Sequence, residues 1–116
     1  MEKRNIILEL SFEFALEVIK YCELLEEKKR FVIAQQLLKS GTSLGANIRE
    51  AQNAESKNDF IHKLKISAKE ADETEYWLLL CKNSGSYPSP DLLLEKIVSI
   101  KKLLSKIISS TKNSIK

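Results

Sequence analysis

The segment KSGTSLGANIREAQ, Lys39 to Gln52, sets Gly41, Thr42, Ser43 and Gly45 inside a run that otherwise reads as one long amphipathic helix. It can be a break, a phosphate-binding loop, or a helix whose small residues serve packing. Around it Ala34, Leu37, Gly41, Leu44, Ile48 and Ala51 recur with strict three-four spacing, and the phase carries through the glycines. A break would usually reset that phase. A phosphate loop would need a lysine and a preceding strand, and GTSLG has neither. Glycine inside a helix costs about 1 kcal/mol relative to alanine, so two of them imply a compensating close approach by a neighbouring backbone. Gly41 and Gly45 share a face, the small-xxx-small arrangement that lets helices pack tightly. A continuous second helix over about residues 27–54 is predicted.

Working outward, a first helix is expected over about residues 5–27, with Leu8, Phe12, Ala15, Leu16, Ile19 and Cys22 as its core face. Phe14, Val18, Tyr21 and Leu25 form a second seam, well around the helix at ~100° per residue. A third helix should begin near Ser56, whose spacing to Asp59 resembles a capping box, and run over about residues 56–82. Its inner stripe is Phe60, Leu64, Ser67, Ala71, Thr74, Leu78 and Cys81, and its small middle residues suit the glycine face of helix two. NSGSYPSP, residues 83–90, is the one clear loop, with Gly85 placed for a left-handed cap and Pro90 for a first helical position. The last helix, over about residues 90–111, points Leu93, Ile97, Ile100, Leu104 and Ile107 inward. Four helices with short connections predict an all-α fold, an antiparallel up-down-up-down four-helix bundle.

A chain of 116 residues with 43% hydrophobic content is one domain, 1–116, and only three glycines and two prolines interrupt it. MEKRNIILEL carries both charge signs and lacks the apolar core and cleavage site of a secretory signal. No apolar run approaches the roughly 20 residues needed to span a bilayer. A cytoplasmic protein without membrane contact is expected. Cys22 and Cys81 sit at apolar-flanked helical positions without zinc-site or redox spacing, and read as reduced core thiols rather than a disulfide.

Four-helix bundles can house paired-carboxylate metal sites, which take a Glu-x-x-His pair from each of two helices. This chain has one histidine, His62, with Asp59 three residues before it, so no such pair of motifs can be assembled. No nucleophile elbow or histidine-paired cysteine appears either, and no catalytic residue, metal or cofactor is expected. The acids Glu70, Asp72, Glu73 and Glu75 read as solvated surface or partners of Lys69, with a buried role for Glu75, or for Glu50 against Asn47, as a further expectation. Lys96, Lys101, Lys102, Lys106, Lys112 and Lys116 occupy a C-terminal stretch with no acid after Glu95. His62, Lys65 and Lys69 form another basic stripe at helical spacing, and Lys28, Lys29 and Arg30 cluster at the start of helix two. Such patches can neutralise phosphates, whereas a net charge of only +3 is also that of a lysine-rich solvated surface.

The motifs GANIREA from Gly45, SKNDFIHKLKIS from Ser56 and KEADETEYWL from Lys69 resemble the bacterial four-helix-bundle family of ribosomal RNA intervening-sequence proteins. That resemblance implies a small all-helical protein without enzymatic activity, often a ring-shaped homopentamer. A related branch, the accessory variability determinant of diversity-generating retroelements, implies binding of nucleic acid and of a reverse transcriptase through a basic surface. The chain reads NIREA from Asn47 where the commoner family pattern is NIAEG. With a ring implied, Phe14, Val18, Tyr21 and Leu25 become candidates for the contact with a neighbouring copy, and Trp77 and Tyr76 for its extension. The resulting expectation is a homo-oligomer that binds RNA or DNA through His62, Lys65, Lys69, Lys101, Lys102 and Lys106. Its alternative is a protein-interaction or assembly module whose lysines serve solubility.

Overall fold

The computed structural model describes residues 5–115. It places α1 at Ile6–Glu27, α2 at Phe31–Ala51, α3 at Lys57–Lys82 and α4 at Asp91–Ile115, with no strand among the described residues. Lys116 and the first residues of MEKRNIILEL lie outside them. Short connections force successive helices antiparallel. α2 packs on α1 and α3, and α4 closes the bundle against α3 and α1.

α1 and α3 start where the sequence provides a side-chain cap, whereas α2 starts after Arg30 without one. The Asn5 side chain accepts the Leu8 N–H at 3.2 Å, and Ser56 accepts that of Asp59 at 3.0 Å. The Asp59 carboxylate reaches back to the Glu55 N–H at 3.1 Å, one residue before the partner a capping box would use. Between α1 and α2 the chain turns at Lys29, with φ of 62°. The Arg30 N–H donates to the Leu25 carbonyl and that of Lys29 to the Glu26 carbonyl, each at 2.8 Å, the pairing of a Schellman motif. Gly85 does not take the left-handed conformation expected of it. The Asn83 and Ser84 side chains donate to the Leu79 and Leu80 carbonyls, so the end of α3 is satisfied without such a cap.

The predicted inner stripes of α2 and α4 are seated in the core, with Ile107 of α4 half-buried at its edge. So is that of α3, whose Phe60 is likewise half-buried. α2 runs unbroken through Gly41 and Gly45. The glycines face a different neighbour from the one expected. A Cβ on Gly41 would stand 2.8 Å from a γ-carbon of Val18, and one on Gly45 3.4 Å from the Ser11 carbonyl oxygen, so both lie against α1. α3 is instead met by the adjoining row of α2. The Ser67 hydroxyl donates to the Leu44 carbonyl at 2.7 Å, and Thr74 Oγ1 lies 3.0 Å from Ser40 Oγ. Small residues thus let α2 approach both neighbours closely.

The two stripes of α1 exchange roles. Phe14, Val18, Tyr21 and Leu25 are buried in the core of the single chain and cannot form an outer contact. Phe12, Leu16 and Ile19 are 63%, 47% and 41% exposed, Leu8 and Ala15 are half-buried, and of the expected core face Cys22 alone is fully inside. The glycines explain the choice, because the notch at Gly41 is filled by Val18. Trp77 is half-buried against the core, with its indole N–H donating to Glu73 at 3.0 Å, while Tyr76 beside it is exposed. Cys22 and Cys81 are free and buried, and the Cys22 thiol donates to the Ala34 carbonyl at 3.4 Å.

Candidate nucleic-acid interface

Charge is segregated along the helices. The first half of α3 carries Lys57, Lys63, Lys65 and Lys69 against Asp59, and its second half Glu70, Asp72, Glu73 and Glu75 against Lys82. α4 runs antiparallel, so its acid-free half with Lys102, Lys106 and Lys112 lies beside the basic half of α3. At that end of the bundle both helices present cations.

An open groove of about 400 Å³ between α3 and α4 is lined by Lys65, Ala68 and Asp72 on one side and Lys101, Ser105, Ile108, Ser109 and Lys112 on the other. Lys65 and Lys112 meet across it. A side-chain hydrogen bond with Lys112, and after it the repulsion of that second positive charge, hold Lys65 below the usual lysine range. His62 joins these two lysines in a shallower depression toward the helix ends. Lys69, Lys102 and Lys106 are exposed, and none of them makes an ion pair among the described residues.

Lys101 is placed differently from the other candidates. Its ammonium is held 2.7 Å from Asp72 and 2.8 Å from Glu75, and these hydrogen bonds raise its pKa above the usual lysine range. It is therefore a strut between α3 and α4 rather than an available cation. Glu75 is half-buried and hydrogen-bonded in that pair, which comes part of the way to the role expected of it, whereas Glu50 is an exposed partner of Lys63 at 3.4 Å. Asn47 donates instead to the Ser43 carbonyl at 2.9 Å. Lys112, which becomes central, follows Lys101, Ser105 and Ile108 at spacings that fix one helix face, but only the cross-helix register brings it to Lys65.

A second groove, between α1 and α2, is mostly apolar at Leu8, Phe12, Ala15, Gly45 and Ala46, and its lining also includes Glu9 and Arg49. It continues into the exposed Leu16 and Ile19 of α1. Among the described residues no three His, Cys, Asp or Glu side chains are gathered to hold a metal ion. No described helix is long and apolar enough to cross a membrane.

Comparison with known proteins matches this architecture. A solved structure, a protein of unknown function from the S23 ribosomal protein family of Bacteroides thetaiotaomicron, is 45% identical with a TM-score of 0.82, over 88% of this chain and 97% of that one. No curated protein matches. The family model described as 23S rRNA-intervening sequence protein matches residues 3–106, which leaves Lys112 outside the matched region. Spanning three of the four helices whole and most of the last, that match shows that the chain belongs to the 23S rRNA-intervening sequence protein family.

Proposed function

We propose that this chain is a non-enzymatic, homo-oligomeric helical bundle that binds RNA or DNA through the basic end of α3 and α4. The observation that carries the reading is the convergence of Lys65 and Lys112 across one groove, flanked by His62 and Lys69. Here the acid in the groove, Asp72, is engaged by Lys101, so the lysine pair is left for an external anion. Phosphate contacts of this kind position a nucleic acid and read little sequence. Membership of the family supports the same reading, and its resemblance-based expectation of a five-membered ring is kept as part of the proposal.

The alternative, an assembly module without nucleic-acid binding, is favoured by the exposed apolar face of α1. Binding of structured ribosomal RNA and of duplex DNA, titrated with salt, separates the two. The proposal expects affinity that falls steeply as salt rises. Absence of binding at low ionic strength assigns the chain to assembly alone.

A further inference from the structure

The basic face carries cations and hydroxyls but almost no rings. α4 contains no aromatic residue. In the basic half of α3 the aromatic side chain is Phe60, which is half-buried and packs against the core. The exposed rings Phe12, Phe31 and Tyr76 belong to α1, the start of α2 and the acidic half of α3. His62 remains, and one ring seats one base. Surfaces that hold unstacked single strands rely on successive aromatic platforms, each worth about 1–3 kcal/mol per base.

The helices fix the backbone positions that carry the cations. Lys65 and Lys69 are one helical turn apart, about 6 Å along α3 from a rise of 1.5 Å per residue. Lys112 meets Lys65 from the antiparallel helix, with Ser105 and Ser109 lining the groove beside them. Two rows of lysines rooted on rigid antiparallel helices suit a partner whose phosphates also run in regularly spaced rows. Resting on the nucleic-acid reading above, we propose that this face takes the phosphate backbone of a double helix and discriminates against unstacked single strands, with Lys65 and Lys112 gripping the backbone together.

The test uses the full chain and fluorescence anisotropy over a range of salt concentrations. Its probes are an RNA duplex and a DNA duplex of about 20 base pairs and unstructured RNA and DNA strands with as many phosphates. The duplexes should bind at least about tenfold more tightly than the strands, and any preference between the two duplexes identifies the natural source of the backbone. Lys65→Ala with Lys112→Ala should lose about tenfold on the duplexes and lower the salt slope by about 2, one for each phosphate contact removed. Lys20→Ala, an exposed lysine on α1, should leave the affinity in place. Strands that bind as tightly as duplexes, or a double variant that binds them like the parent, overturn the inference while leaving nucleic-acid binding intact. Failure of all four probes at low salt overturns both.

Discussion

Lys29 holds a left-handed conformation, φ of 62°, because the Schellman turn between α1 and α2 needs it there. A side chain with a Cβ costs about 1 kcal/mol in that region, and glycine removes the cost. Lys29→Gly should therefore stabilise the protein by roughly 1 kcal/mol, read as a higher urea midpoint with an unchanged m-value. Cys22 acts through its charge state. Burial, with the nearby Glu26 and Cys81 adding, pushes its thiol up to about 12 from an ordinary 9.0. Between those values the unfolded chain has lost the thiol proton while the folded one keeps it, so stability that is complete below pH ~9 declines as pH rises toward ~12, by about 1.4 kcal/mol per unit. Thermal melts across that window should show the fall. Cys22→Ala, less stable at neutral pH through lost packing, should show a shallower one.

At the scale of an element, α1 is where reading the sequence and folding the chain part company. Ile7, Ser11, Phe14, Val18, Tyr21 and Leu25 follow a four-three-four-three-four repeat and are all buried. Ser11 interrupts that line in hydropathy, so a search for apolar residues prefers Leu8, Phe12, Leu16 and Ile19. In α2 and α3 the buried small residues Gly41, Ser67 and Thr74 are read without error because large residues bracket them in phase. What Ser11 does becomes visible only against its partner, where it lies under Gly45. The same limit applies to the candidate interface. Lys65 and Lys69 are legible as a stripe, but the pairing with Lys112 and the capture of Lys101 by Asp72 and Glu75 depend on the register of α3 against α4, which no single helix encodes. The α1–α2 contact makes opposite predictions for two glycines. Gly41→Ala would drive a methyl to 2.8 Å from buried Val18, and overpacking of about 1–3 kcal/mol should outweigh a helix-propensity gain of about 1 kcal/mol. Gly45→Ala meets the Ser11 carbonyl at 3.4 Å, an ordinary contact, and should be neutral or stabilising by up to about 1 kcal/mol. Thermal melts of both variants check the sign, and Val18→Ala placed on Gly41→Ala should cost less than the two separately.

The whole molecule is elongated, with principal extents of 50 × 27 × 20 Å. Asp72, which lines the groove, and Glu75 are already paired with Lys101, so part of the acidic charge nearest the basic end is offset before a ligand arrives. A net charge of +3 thus understates what a phosphate backbone meets there. The same elongation leaves one long side of the bundle, α1 with its neighbouring groove on α2, apolar at Phe12, Leu16 and Ile19, with the exposed Glu23 and Glu26 ending that stripe and Glu13 to one side of it. A contiguous apolar face rimmed by charge marks an association surface, and this one replaces Phe14, Val18, Tyr21 and Leu25 as the seat of the proposed contact between copies. The two stripes can be told apart by what their loss does. Phe14→Ala empties a core position and should cost about 3–5 kcal/mol of stability. Phe12→Glu with Leu16→Glu touches only exposed positions, so its circular dichroism should remain that of a helical bundle while light scattering at micromolar concentration falls from an oligomeric to a monomeric mass. Parent protein that is already monomeric would remove the ring from the proposal. A double variant that stays oligomeric would move the contact to another face, and the exposed Tyr76 and Leu79 of α3 would be the next to change.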